Sequence, residues 1–95
     1  MPKKRVIGEK ERVHLRLALA EAIVTLRRRR GISQEQLARE TGTARAYMSG
    51  LERGRHSAGI ESIYKLLPGL GVTMTEFWAE WERAFARVGR NRNRV

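Results

Sequence analysis

Between Ser33 and Gly54 the chain has room for two short helices and a turn, and little else. Ser33-Gln34-Glu35-Gln36 has the spacing of a capping box, with Ser33 as N-cap and Gln36 at the third helical position. Gly42 follows Thr41 where that helix has to stop, and glycine enters the left-handed region at least cost. Thr43 then stands where a second helix needs its N-cap. Leu37 and Ala38 face inward from the first helix, and Ala44, Met48 and Leu51 from the second, which Gly54 ends. A helix-turn-helix needs a small residue where its helices cross, a glycine in the turn and an apolar residue midway along the second helix. Ala38, Gly42 and Met48 meet these needs.

The flanking segments read as further helices. Leu15, Leu19, Ile23 and Leu26 recur at steps of three and four within Glu9–Arg30, and Gly31 is placed to end that helix. The run Arg27-Arg28-Arg29-Arg30 favours the negative end of the helix dipole and reads chiefly as a solvated helix end. Ile60, Ile63, Leu66, Leu67 and Leu70 mark a fourth helix, which Pro68 should end or kink near Leu67. Thr73-Met74-Thr75-Glu76 is a second capping box and opens a fifth helix to about Val88. No run alternates long enough for a strand. The expected fold is all-α, a compact five-helix domain over residues 9–88, with mobile basic tails at 1–8 and 89–95.

Charge narrows the partners. Twenty Lys and Arg oppose ten Glu, Asp is absent, and the net charge is +10. Such an excess suits a polyanion, nucleic acid ahead of an anionic membrane, although it also suits a merely soluble domain. The chain has no cysteine, which excludes disulfides and thiolate metal sites. No apolar run suggests a leader or a membrane span, so a cytoplasmic location is expected. His14 and His56 have no nucleophile–base spacing around them, which argues against an enzyme. Nothing in the pattern calls for a metal, a cofactor or a small-molecule effector.

GISQEQLARETGTARAYMSGLERGR resembles the Xre/Cro-like helix-turn-helix family, the lambda-repressor-like DNA-binding domains. The resemblance runs from about Leu19 to Phe77. AYMSGLERG with IESIYKLLPGLGVTMTEFW is also similar to the controller proteins of restriction–modification systems. The resemblance implies a symmetric dimer on palindromic double-stranded DNA, with the helix at about 43–53 in the major groove. With Met48 and Leu51 inward, Arg45, Ala46, Ser49 and Gly50 should face the bases, with Tyr47 at the margin. Arg45 is the best reader, since a guanidinium pairs bidentately with guanine O6 and N7. Gly50 is a departure from the family, which often has a longer polar side chain there. Phosphate contacts fall to Gln34, Thr43, Arg53, Arg55 and Arg27. The family also implies an ion pair between Arg27 and Glu52, joining the first helix to the third; the alternative is a weak surface pair.

Met74, Trp78, Trp81, Phe85 and Val88 fall at steps of four, three, four and three. Met74, Trp78, Trp81 and Phe85 are the candidate dimer interface, with Phe77 and part of Trp81 inward; alternatively the whole stripe packs on its own core. Two other readings stay open: the DNA-binding antitoxin of a toxin–antitoxin pair, and a non-specific nucleic-acid coat.

Overall fold

The computed structural model describes residues 6–92. Lys3, Lys4 and Arg5 and the chain end from Asn93 lie outside the described residues. Five helices make up the fold: α1 (Glu9–Arg30), α2 (Gln34–Thr41), α3 (Arg45–Glu52), α4 (Ile60–Leu70) and α5 (Met74–Arg92). Among the described residues there is no strand, and no helix is long and apolar enough to cross a membrane.

The long α1 is the spine. It packs most extensively on α5 and then on α3, while α2 sits between α3 and α4. Leu19, Ile23 and Leu26 from α1 meet Leu37, Met48, Leu51, Ile63, Leu66 and Phe77 in one core, and Ile23, Leu37, Met48, Leu51 and Phe77 are fully buried. A second seam of small residues, Ala18 and Ala22 against Ala84, lets α1 and α5 approach closely. Leu15, the first residue of the expected α1 stripe, stays at the surface.

Local signals set most helix ends. The Ser33 hydroxyl accepts from the Gln36 amide at 3.0 Å. The reciprocal half of that box is not made, because the Gln36 side chain reaches Glu40 instead. The Thr73 box is complete: Thr73 N donates to Glu76 Oε1 at 2.9 Å and Glu76 N to Thr73 Oγ1 at 3.1 Å. Gly42 turns at φ 62°, and its carbonyl accepts from Lys65 Nζ of α4 at 2.9 Å.

Four expectations are corrected. Helix α4 does not stop at Leu67 but runs through Pro68 to Leu70. Pro68 withholds its hydrogen bond from the carbonyl of Tyr64, an exposed residue whose carbonyl water can serve. Helix α5 continues past Val88 to Arg92, so residues 89–92 are helix and not tail. Thr43 does not cap α3: Ala44 is the N-cap residue, and the Thr43 hydroxyl bonds to that of Thr41 at 2.8 Å. As a cap residue Ala44 is itself exposed and leaves the inward stripe to Met48 and Leu51.

Candidate nucleic-acid interface

The second helix of the α2–α3 pair is held from behind. Arg27 Nε and Nη2 donate to Glu52 Oε2 and Oε1 at 2.7 and 2.9 Å, a two-pronged pair, while Nη1 donates to the Ile32 carbonyl at 2.9 Å. The two side chains are only 12% and 6% exposed, so this is no surface pair. The hydrogen bond to Glu52 raises the Arg27 pKa against the opposing effect of burial. Gln34 Nε2 adds a bond to Glu52 Oε1 at 3.1 Å, and Arg16 Nε donates to the Gly54 carbonyl at 3.2 Å. The last turn of α3 is therefore tied to α1 and to the start of α2.

The front of α3 is open. Arg45 and Ala46 are exposed, and Ser49 and Tyr47 are half-buried. Arg45 is 71% exposed and comes no closer than 3.6 Å to Glu35, itself largely exposed. Arg53 and Arg55, beyond the helix end, are exposed and have no side-chain partner among the described residues. Tyr47 is turned towards the following loop, its hydroxyl donating to the Ser57 carbonyl at 3.1 Å. Of the candidate phosphate contacts, Gln34 and Arg27 are engaged with Glu52, Thr43 with Thr41, and Arg53 and Arg55 with no side chain among the described residues.

One base-facing expectation is corrected. Gly50 does not face out but is buried, because the imidazole of His56 lies against it. Sequence reasoning missed His56 in this role; periodicity speaks for helix faces and says nothing of where a loop side chain lands.

The arginine run at the end of α1 is not simply solvated. Arg29 reaches Glu80 of α5 at 3.2 Å, and Arg30 reaches Glu40 of α2 at 2.7 Å and the Gly69 carbonyl of α4. Glu80 is 2% exposed and also accepts from Arg83 and Arg87, the latter paired in turn with Glu21 of α1 at 2.6 Å. Burial pushes the Glu80 carboxyl up, but its hydrogen bonds from Arg83, Arg87 and Arg29 together hold it below the usual carboxylate range. Arg83 and Arg87, three and seven residues after Glu80, were the visible trace of this cluster.

On α5 the inward face is Phe77, Glu80, Ala84 and Val88. Met74, Trp78, Trp81 and Phe85 form a neighbouring half-buried stripe, and its three rings touch in sequence: Trp78–Trp81 centroids are 5.8 Å apart and Trp81–Phe85 5.0 Å. Trp78 and Trp81 line an open cavity of about 280 Å³ with Leu15, Leu19, Ala58 and Ile63. Among the described residues no group of His, Asp or Glu is placed to hold a metal ion.

Two short helices joined at a left-handed glycine, the second fixed at its back and open at its front, define a helix-turn-helix protein. Residues 23–77, more than half of the chain, match the helix-turn-helix family HTH_3, and the chain belongs to that DNA-binding family, the Xre and lambda-repressor-like proteins. It is 34% identical over 62 residues to the uncharacterised HTH-type transcriptional regulator y4dJ of Sinorhizobium fredii, covering 65% of this chain and 80% of that one. It is 31% identical over 52 residues to the control protein C.MunI of a Mycoplasma species, covering 55% and 70% respectively. Among solved structures, the tetramer of the restriction–modification controller protein C.Esp1396I in complex with its natural 35-base-pair operator superposes with a TM-score of 0.71. That likeness, at 28% identity, covers 76% of this chain and 95% of the controller.

Proposed function

We propose that this protein is a sequence-specific transcriptional regulator acting in the cytoplasm, which binds a palindromic operator as a homodimer with α3 in the major groove. One observation carries the reading: Arg45 projects to solvent, beside only an exposed Glu35, from the first turn of a helix whose far end is locked to the core by the Arg27–Glu52 pair. Residues near the start of a recognition helix reach base edges, and a guanidinium there can pair with guanine. Ala46 offers an apolar contact to a thymine methyl, and Ser49 a short hydroxyl. Arg53 and Arg55 grip phosphates beside the groove, and the backbone amides at the Gln34 end of α2 favour another. Arg27 acts behind the interface rather than on it, since its guanidinium is engaged with Glu52 and Ile32.

The Met74, Trp78, Trp81 and Phe85 stripe supplies the dimer contact. Apolar side chains left half-buried beside an open apolar cavity gain burial from a second copy. A two-fold dimer then places its two α3 helices in half-sites roughly 34 Å apart. The likeness to C.MunI and C.Esp1396I supports a controller of a restriction–modification system as the biological setting.

Selection of bound sites from random duplexes at fixed salt tests the reading. The expected product is a palindromic consensus recovered by the wild type. Equal retention of every duplex would dismiss sequence-specific regulation.

A further inference from the structure

Gly50 and His56 together make a feature that the α3 helix alone does not explain. Gly50 lies one turn after Ala46, on the face that looks away from Met48 and Leu51. A side chain at 50 would point where a recognition helix reads DNA. That space is already filled: a Cβ on Gly50 would overlap Cδ2 and Nε2 of His56 and stand 3.1 Å from its Cγ. The imidazole is held there by more than the gap. It stacks on the Tyr47 ring at 5.6 Å and 18°, and the Tyr47 hydroxyl bonds to the carbonyl of Ser57, the next residue of the loop. His56 is nevertheless exposed, and neither ring nitrogen has a hydrogen-bond partner among the described residues. The Cδ2–Nε2 edge faces the helix, which leaves Nδ1 on the far side of the ring.

We propose that His56 is a base-reading residue, delivered to the groove face of α3 from the α3–α4 loop in place of the side chain that Gly50 lacks. The inference rests on the reading that α3 enters the major groove. The outward ring nitrogen, Nδ1, donates or accepts according to the tautomer, which suits a base edge that presents the complementary group. Its place along α3 favours a base over a phosphate. Arg53 and Arg55 flank the helix end, where the backbone of the duplex would run, whereas His56 lies over the middle of the helix face. Gly50 is then a requirement of the loop residue: the Cδ2–Nε2 edge of the ring reaches α3 only because no Cβ stands in its way.

The test is a two-by-two set of variants, wild type, His56→Ala, Gly50→Ala and the double variant. Each is titrated against the selected operator and against operators changed at one base pair at a time. His56→Ala should weaken binding to the selected operator roughly tenfold and flatten the preference at one base pair in each half-site, leaving the others intact. Gly50→Ala should do the same by displacing the ring. Adding Gly50→Ala to His56→Ala should change nothing further. Thermal melts of all four keep a folding defect from passing as lost recognition. An equal loss on every sequence would make His56 a phosphate contact and overturn the assignment. So would unchanged preferences in His56→Ala, or independent losses that multiply in the double variant. A wild type that selects no sequence overturns the DNA reading as well; a selective wild type matched by His56→Ala overturns the His56 assignment alone.

Discussion

At the end of α1, Arg27, Arg29 and Arg30 each reach a carboxylate on a different helix, Glu52 of α3, Glu80 of α5 and Glu40 of α2. Around α3, Arg53 and Arg55 reach none among the described residues, and Arg45 stands 3.6 Å from an exposed Glu35. The same residue type holds the fold together in one region and is left to solvent in the other. The gross count of Lys and Arg therefore overstates the surface available to a polyanion, because several arginines are already paired with glutamates of the same chain. Arg53 and Arg55 differ from the first set in that no second helix brings a glutamate within reach among the described residues, and Arg45 meets only an exposed one at a longer distance.

The comparison can be broken most forcefully at Glu52. Glu52→Ala should cost about 3 kcal/mol of stability, near the low end for an orphaned buried charge because Arg27 keeps the Ile32 carbonyl. Denaturant titration reads that loss. Glu52→Gln should weaken DNA binding although it removes a negative charge; tighter binding would show that the pair does not orient α3. The opposite pattern is expected at Arg45, where Ala should leave the unfolding midpoint alone but cost ~1–3 kcal/mol of operator affinity and relax one base position. Arg53→Ala should lower affinity evenly across sequences and reduce the salt slope by about one. Smallest of all is Arg28, the member of the run without a side-chain partner among the described residues. Arg28→Ala should stay within ~0.5 kcal/mol in the same titration, and a larger loss would mean that position within the run matters more than pairing.

Acid sharpens the same contrast. Glu80 is held below its ordinary pKa in the folded state, so its contribution is present above the unfolded value of 4.5 and is lost as pH falls through the lower folded value. A pH series of melts should show that loss in the wild type and a shallower acid limb in Glu80→Gln. Identical limbs would mean that the three arginines contribute nothing through this carboxylate.

These effects divide along what a sequence can carry. Helix ends at Gly31 and Gly42 and the caps at Ser33 and Thr73 were legible, or nearly so, because each depends on residues within a turn of itself. The inward residues of the helix-turn-helix pair, Leu37, Ala38, Met48 and Leu51, followed from spacing in the same way. The Arg27–Glu52 pair lies beyond such rules, and only the family resemblance pointed to it. Nothing in the spacing marks Glu80 as buried, because its burial depends on how α5 lies along α1. Pro68 misled because a proline in a last turn withholds only a bond that water can replace. Gly50 misled because its neighbour comes from a loop, and loops have no period.

The end of α1 also says something about time. Its three partners lie ten, twenty-five and fifty-one residues away along the chain, at Glu40, Glu52 and Glu80. Closing the longest of these loops costs about 1.4 kcal/mol more entropy than closing the shortest. On loop length alone the contact to α2 should form earlier than the contact to α5. Glu40→Gln should accordingly slow refolding, whereas Glu80→Gln should leave refolding nearly unchanged and hasten unfolding. A single basic turn would thus take part in both an earlier and a later step of assembly.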